Sequence, residues 1–189
     1  AALAARGIEA YCPRVLEPRL HSWEPKGPVP SFPGYVFARF VLGERFAGIP
    51  LAHLTGRQRF MNLELLASRE ALVPRKETEL LGFAARAVLQ QLAGARESLR
   101  VIDVCTGAGN LALALATHES MARVYASDLS SEAVELARRN AAQLGLGSRV
   151  EFRQGDFLAP FADGHFDRNV DLLVCNPPYI SSGKVGTLP

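Results

Sequence analysis

Strand-like and helix-like patterns alternate through the second half of this chain. Short apolar runs rich in β-branched residues are typical of buried strands, and the longer runs between them repeat apolar residues every three or four positions. The predicted elements are helix 77–92, strand 100–105, helix 110–118, strand 123–128, helix 131–144, strand 149–154 and strand 171–175. Because parallel strands need long crossover connections, this alternation predicts an α/β fold with a doubly wound, Rossmann-like sheet.

Composition narrows the class of protein. The chain has 189 residues, of which 48% are hydrophobic and 21% charged, as in an ordinary globular protein. The net charge of +2 is too small to argue for nucleic-acid binding. Three widely spaced cysteines form neither a disulfide framework nor a zinc site, so we expect a reducing cytoplasm and no metal. No apolar run approaches the ~18 residues of a membrane span, so no membrane partner is expected.

Pattern and composition divide the chain into three parts. These are a small α+β segment over residues 1–45, a linking region over 46–94 with a hairpin and a helix, and a cofactor-binding domain over 95–189. In the first part we predict a helical remnant over 1–6 and strands within 8–16 and 34–41. The proline-rich stretch 21–33 is predicted to be a loop.

A glycine-containing turn joins the first strand of the domain to its next helix. It consists of Cys105, Thr106, Gly107, Ala108 and Gly109. Small residues let a ligand approach the backbone closely, and free N–H groups stand at the start of the following helix. The turn is therefore a candidate cradle for a nucleoside cofactor, and the pattern suits either a nicotinamide dinucleotide or S-adenosylmethionine.

Acidic residues follow the next two predicted strands. Asp128 ends the second strand, where a carboxylate can accept hydrogen bonds from ribose hydroxyls. Asp156 and Phe157 follow the third, where the carboxylate can accept from an adenine amino group and the ring can cover the base. Either aspartate alone is as readily an ordinary turn residue. Their shared position at consecutive strand ends favours a cofactor site.

The fourth predicted strand is followed by the tetrapeptide Asn176-Pro177-Pro178-Tyr179. The prolines fix their φ angles and lack an N–H, so the turn is rigid and rich in acceptors. We predict that Asn176 Oδ1 and the Pro177 carbonyl accept both hydrogens of one planar NH₂ group, with Tyr179 beside it. Because no hydride-acceptor site or proton donor is evident, this favours S-adenosylmethionine over the nicotinamide cofactor. A proline-rich loop without a binding role is the alternative.

Together, these motifs resemble those of the release-factor glutamine methyltransferases, which methylate the glutamine side-chain nitrogen in the Gly-Gly-Gln loop of peptide-chain release factors. The resemblance covers residues 46–180. It includes residues 74–79, Pro-Arg-Lys-Glu-Thr-Glu, similar to the Pro-Arg-Pro-Glu-Thr-Glu that such enzymes carry before the cofactor domain. Residues 48–56 are similar to the end of the family's helical substrate domain.

The resemblance implies a cytoplasmic, S-adenosylmethionine-dependent enzyme acting on a release factor. Residues 105–109 would line the methionine part of the cofactor, Asp128 would hold the ribose, and Asp156 and Phe157 would flank the adenine. The tetrapeptide 176–179 would hold the substrate glutamine, with Asn176 also facing the cofactor. Its Asn176, Pro177 and Tyr179 are the predicted catalytic residues. Catalysis would depend on positioning and electrostatics, with no side-chain general base.

Three departures from the family pattern carry expectations. Cys105 stands where the family has the first glycine of its motif, and we expect weaker cofactor affinity. Lys76 replaces the second proline of the upstream motif, which we expect to be tolerated. The family also has three further strands after the tetrapeptide, so we expect an incomplete sheet whose last strand has an open edge.

Residues 1–43 resemble a different family, the N-terminal domain of NusG-type transcription elongation factors. The resembling residues are 6–15 and 32–40, the latter containing Phe-Pro-Gly-Tyr-Val-Phe. This resemblance implies RNA polymerase as a partner through apolar and aromatic side chains. The alternative is that these aromatic residues pack the core of the segment itself.

Two other functions stay open. The tetrapeptide also suits an exocyclic amine, so an adenine-N6 methyltransferase on nucleic acid is the alternative within the same chemistry. Against it stand the motif at 74–79 and the balanced charge of residues 46–189. A non-catalytic fusion or fragment that binds RNA polymerase through its first segment is the alternative of another class.

Overall fold

The computed structural model describes residues 48–94 and 96–178, together with short strand segments between residues 9 and 39. Contacts within the chain divide it into two units, Ala1–Gly56 and Arg57–Pro189. Among the residues that the structure describes, no helix has the length and apolarity needed to cross a lipid bilayer.

In the first unit, the described residues include six short strands in three antiparallel pairs. The pairs are β1 (Glu9–Tyr11) with β6 (Phe37–Arg39), β2 (Arg14–Val15) with β5 (Val29–Pro30), and β3 (Pro18–Arg19) with β4 (Ser22–Pro25). A short helix, α1 (Leu51–Thr55), ends at Gly56, whose φ of 73° is left-handed. Strands β1, β2 and β6 lie within the two strands predicted from the sequence. The helical remnant predicted over 1–6 lies outside the described residues.

The prediction of a loop over residues 21–33 is wrong, because this stretch contains β4 and β5. Proline is excluded from central strands since it cannot donate to a ladder. In a two-stranded ladder both strands are edges, so this exclusion does not hold, and Pro25 and Pro30 both occupy paired positions.

The second unit begins with a hairpin of β7 (Arg57–Phe60) and β8 (Leu63–Leu66). Its two turn residues, Met61 and Asn62, have φ angles of 45° and 68°. Two left-handed residues give the turn a twist that matches the strands. The turn is also held from outside, because Glu79 Oε1 accepts a 2.7 Å hydrogen bond from Met61 N and His118 Nε2 donates to the Met61 carbonyl.

A four-stranded parallel sheet forms the body of this unit. Its strands are β9 (Leu99–Val104), β10 (Ala122–Asp128), β11 (Val150–Gln154) and β12 (Leu172–Cys175), in the order β11-β10-β9-β12. Within residues 57–94 and 96–178, the helices are α2 (Lys76–Ala93), α3 (Asn110–His118) and α4 (Ser131–Gln143), with a 3₁₀ turn at Ala159–Phe161. All seven elements predicted for this region are present with bounds within one residue, and the α/β prediction is confirmed.

Two apolar clusters cover the faces of the sheet. On one face, Leu99 and Val101 of β9 and Val124 of β10 pack with the three helices. Helix α3 is buried at every position from Asn110 to Ala116. A helix buried on all sides must be apolar all round, and residues 111–116 are all leucine or alanine. On the other face, the apolar cluster contains Ile102, Phe161 and Phe166.

Both ends of α4 have capping motifs typical of α-helices. Ser130 Oγ accepts a 3.1 Å hydrogen bond from Ala133 N at the start of the helix. At its end Gly145 has a φ of 69°, and Leu146 N donates to the Ala141 carbonyl at 2.8 Å. This left-handed C-terminal motif satisfies carbonyls that the helix leaves unpaired.

Asn140, on α4, ties the hairpin to the turn after β9. Its side chain is fully buried. Oδ1 accepts from Leu66 N at 2.7 Å, while Nδ2 donates to the Ala108 carbonyl at 3.0 Å and the Leu66 carbonyl at 3.3 Å. A second link joins the same parts, from Gln58 Nε2 to Asn110 Oδ1 at 2.9 Å. The hairpin and the glycine turn are therefore fixed against each other by buried amides.

We expect Asn140→Ala to lower the free energy of unfolding by about 2–3 kcal/mol, because it leaves buried backbone groups without partners. Urea unfolding measures the change. Gln143→Ala is the matched control, since Gln143 reaches the same hairpin through an exposed hydrogen bond to the Glu64 carbonyl. We expect the control to cost less than about 1 kcal/mol. Equal losses in the two variants would contradict a special role for the buried amide.

Candidate active site

The carboxyl ends of the parallel strands bring the predicted residues to one edge of the sheet. Val104, the last residue of β9, is the register partner of both Ser127 on β10 and Cys175 on β12. Cys105, Asp128 and Asn176 follow these three positions directly. Ligands of open α/β sheets bind outside this edge.

The glycine turn has three left-handed residues. The φ angles of Cys105, Gly107 and Gly109 are 60°, 58° and 84°. A side chain on Gly109 would also meet Leu113 and Ala137 within 3.2 Å, so packing and backbone both require glycine there. Among the described residues, a Cβ on Gly107 would meet only Ala71, at 3.8 Å. The turn is therefore tightly packed on its inner side and open on its outer side, where a ligand can approach the backbone.

Asp128 is fixed to the glycine turn. Its Oδ2 accepts from Gly107 N at 2.8 Å, and its Oδ1 accepts from Ser130 N at 3.1 Å. The side chain is half-buried. Each carboxylate oxygen has more than one lone pair, so both retain capacity for ligand hydroxyls while the two backbone bonds fix the orientation of the group.

Asp103, on β9, lies beneath the turn and was missed as a site residue by the sequence prediction. Its side chain is 1% exposed. Oδ2 accepts from Thr106 Oγ1 at 2.6 Å and from Ala112 N at 3.1 Å, while Oδ1 has no hydrogen-bond partner among the described residues. Burial, with a smaller contribution from Asp128, raises the pKa of Asp103 to about 7, although the two hydrogen bonds oppose this. A carboxylate within an apolar strand was the signal available in the sequence.

Two free thiols lie at the ends of β9 and β12. Cys105 and Cys175 pack against the same apolar cluster as Ile102 and Phe166. Burial, followed by the neighbouring Cys175, raises the pKa of Cys105 to about 11. Burial also raises the pKa of Cys175. Because the thiolate is the reactive form, both groups are poor nucleophiles near neutral pH.

Exposed apolar side chains follow the carboxyl ends of β10 and β11. Leu129 is 69% exposed and Phe157 is 49% exposed. Ser127, fully buried, donates a 2.8 Å hydrogen bond to the Phe157 carbonyl and so fixes this segment to β10. Asp156 beside it is exposed. Apolar surface next to an acceptor is the chemistry that a purine ring needs.

Asn176 lies at the end of β12 and contacts the first turn of α2. Its Nδ2 donates to Thr78 Oγ1 at 3.1 Å. Asn176 is half-buried, while Pro177 and Pro178 are exposed. Tyr179 lies outside the described residues. Within the described part of the chain, no group of three or more His, Cys, Asp or Glu side chains is arranged to bind a metal ion.

The raised pKa of Asp103 predicts a pH-dependent stability. Between pH ~4 and ~7 the folded chain holds a proton that the unfolded chain has lost, so the free energy of unfolding falls as pH rises through this window. We expect Asp103→Asn to gain about 2 kcal/mol relative to wild type between pH 5.5 and 7.5, as measured by urea unfolding.

The control for this experiment is Asp167→Asn, because Asp167 is exposed and its side chain makes no hydrogen bond or ion pair within residues 96–178. It should keep the wild-type pH dependence. A wild-type slope in Asp103→Asn, or a loss of slope in both variants, would show that Asp103 does not titrate in this range.

Comparison with known proteins agrees with this geometry. Residues 95–184 match the family model of the methyltransferase domain. A release factor glutamine methyltransferase of Moorella thermoacetica is 43% identical over 148 residues, covering 78% of this chain and 50% of that protein. One of Streptomyces coelicolor is 45% identical over 143 residues, covering 74% of this chain and 47% of that protein. The chain thus spans about half the length of the curated relatives it matches.

Solved structures support the fold at lower identity. The N-terminal domain of human METTL16 in complex with SAH has a TM-score of 0.51 at 19% identity, covering 65% of this chain and 49% of that chain. The human methyltransferase 10 domain containing protein has a TM-score of 0.53 at 20% identity, covering 64% of this chain and 56% of that chain. Residues 95–184 are therefore similar in sequence to a methyltransferase domain, and the parallel sheet with its flanking helices shares the fold of these solved structures.

Proposed function

We propose that this chain is the methyl-transferring part of a release-factor glutamine methyltransferase. The observation that carries the proposal is the position of Asn176. It stands at the end of β12, next to the strand that leads into the glycine turn, with the donor end of its amide already bonded to Thr78. The acceptor end is then available to a substrate nitrogen beside the cofactor site.

The residues at the sheet edge fit S-adenosylmethionine. The open side of Gly107 would admit the cofactor to the backbone, and the unpaired Asp103 Oδ1 is a buried acceptor beneath the same turn. Asp128, oriented by its bond from Gly107 N, would accept hydrogen bonds from the ribose hydroxyls. Phe157 and Leu129 offer apolar surface to the adenine, and Asp156 an acceptor. When bound, the cofactor supplies an electrophilic methyl group on a sulfonium.

The tetrapeptide 176–179 holds the glutamine amide. Asn176 Oδ1 and the Pro177 carbonyl accept its two hydrogens, which fixes the plane of the group and directs the nitrogen toward the methyl. As the amide nitrogen accepts the methyl group, its extra proton would pass to solvent, so no side chain of the site is assigned as a base. The residues contribute by positioning the amide and by stabilising the positive charge that develops on it.

Other functions predicted from the sequence stay predictions. Strands β1 and β6 lie where two strands were predicted, but this pairing supports neither a NusG-type domain nor an RNA polymerase contact through residues 1–43. The cytoplasmic location likewise rests on the three widely spaced cysteines and on the family resemblance. Because an adenine amino group offers the same two hydrogens, the assay below includes a nucleic-acid substrate.

A methylation assay with radiolabelled S-adenosylmethionine and a purified peptide-chain release factor tests the proposal. We expect incorporation into the wild-type factor and none when its Gly-Gly-Gln glutamine is replaced by asparagine. Asn176→Ala should lower the rate about 100-fold, because the amide loses an acceptor in the transition state, and should change cofactor affinity less than about 3-fold.

Two further variants separate loss of cofactor binding from loss of substrate positioning. Asp128→Ala should weaken S-adenosylmethionine binding more than about 10-fold in isothermal titration, since it removes the ribose acceptor. Asn169→Ala changes an exposed asparagine away from the sheet edge and should behave as wild type. Label transferred to adenine-containing DNA or RNA instead of the release factor would replace the proposed substrate with a nucleic acid.

A second prediction concerns Cys105. Its left-handed backbone is costly for any residue with a Cβ, by about 1 kcal/mol. We expect Cys105→Gly to raise the free energy of unfolding by about 0.5–1 kcal/mol and to tighten S-adenosylmethionine binding. Cys175→Ala removes the neighbouring thiol from a strand with ordinary backbone and should bring neither gain. A Cys105→Gly chain with unchanged or weaker cofactor binding would show that the thiol does not obstruct the site.

A further inference from the structure

We infer that Thr78 is a positioning residue for methyl transfer, and that it acts by fixing which end of the Asn176 side-chain amide faces the substrate. This inference rests on the proposed function for its catalytic consequence. Its structural basis is independent of that function, because the 3.1 Å bond from Asn176 Nδ2 to Thr78 Oγ1 is a property of the chain alone.

An asparagine amide has two ends of nearly the same shape and opposite chemistry. One end is an acceptor and the other carries two donors. A substrate NH₂ group needs the acceptor. If the amide of Asn176 rotated by half a turn, its Nδ2 would face the hydrogens of the substrate and repel them. A partner for Nδ2 on the far side therefore decides whether the site holds its substrate in a reactive orientation.

Thr78 is well placed to be that partner. It is 6% exposed and occupies the first turn of α2, where Thr78 N donates to the Arg75 carbonyl at 3.0 Å. A threonine in a helix has two main χ1 rotamers, so its hydroxyl has few alternative positions. Helix α2 packs on β9 and β12, which brings this first turn to the end of β12.

The residue after Thr78 fixes the same turn from the other side. Glu79 Oε1 accepts from Met61 N in the β7–β8 hairpin at 2.7 Å. Two consecutive residues of the 74–79 motif thus make long-range bonds, one to the substrate-holding asparagine and one to the hairpin. This gives the motif, which lies outside the cofactor turn and the tetrapeptide, a physical role in the site.

A structural role is the competing explanation, in which Thr78 only joins α2 to β12. Thr78→Val separates the two roles, because valine has nearly the same shape and no hydroxyl. Thr78→Ser restores the hydroxyl on a smaller side chain. The matched control is Glu77→Gln, since Glu77 is exposed on the same helical turn and its side chain has no bonded partner in the part of the chain that the structure describes.

The experiment combines release-factor methylation kinetics with nuclear magnetic resonance of the ¹⁵N-labelled 189-residue chain. The side-chain amide signal of Asn176 is assigned by its loss in Asn176→Ala. In Thr78→Val we expect kcat to fall about 10- to 100-fold, with KM for S-adenosylmethionine unchanged. We also expect the Asn176 amide protons to exchange with water at least about 10-fold faster, since they lose their partner. Thr78→Ser should restore both properties to within about 3-fold of wild type, and Glu77→Gln should match wild type.

Two outcomes of the Thr78→Val experiment would overturn the inferred role of Thr78. An Asn176 amide that exchanges at the wild-type rate in Thr78→Val overturns it, whatever the activity. A loosened amide with wild-type kcat overturns it as well, because the bond would then be structural only. If wild-type chain methylates no release factor, the proposed function fails, and the amide exchange in Thr78→Val still shows whether Thr78 fixes Asn176.

Discussion

The site depends on a buried carboxylate at the end of β9. Asp103 Oδ2 accepts hydrogen bonds from Thr106 in the turn and from Ala112 in α3, so one atom fixes the strand, the turn and the helix relative to each other. Asp128 then binds the same turn from the neighbouring strand through Gly107 N. The burial that makes Asp103 a rigid anchor also raises its pKa to about 7. The turn is therefore held by a group that changes charge near neutral pH, close to the position proposed for a cationic cofactor.

A second set of buried polar groups extends this rigidity to the hairpin. Asn140 bonds the hairpin strand β8 and the Ala108 carbonyl of the turn with one amide, and Gln58 bonds Asn110 at the start of α3. Buried amides are stabilising only when their donors and acceptors are paired, so they allow one relative placement of the parts they join. The apolar clusters supply the driving force for folding, and these side chains select the arrangement of the loops at the sheet edge.

Much of this fold could be predicted from the sequence because local signals agreed with tertiary ones. Ser130 and Gly145 delimit α4, and helix α3 appears as an apolar run because it is buried on all sides. The strand-end residues Asp128 and Asn176 could be placed together because parallel strands present their carboxyl ends at one edge. The wrong prediction, a loop over residues 21–33, also has a physical reason. The strands within residues 21–33 lie in two-stranded ladders that tolerate proline, which the rule for central strands does not cover.

The role of Thr78 could not be predicted, because it depends on a contact that no local pattern encodes. For Asp103 the sequence offered a single signal, a carboxylate within an apolar strand. Thr78 is separated from Asn176 by nearly a hundred positions, and an alternation of strand and helix does not say which face of α2 reaches β12. The contact matters because of what the tetrapeptide is proposed to recognise. Two fixed acceptors match a group with two hydrogens on a planar nitrogen. A hydroxyl has one hydrogen, and an ammonium has three and no lone pair, so neither satisfies both acceptors and remains reactive. Selection of a planar NH₂ therefore requires that Asn176 present oxygen and not nitrogen, and in this fold the first turn of α2 supplies that constraint.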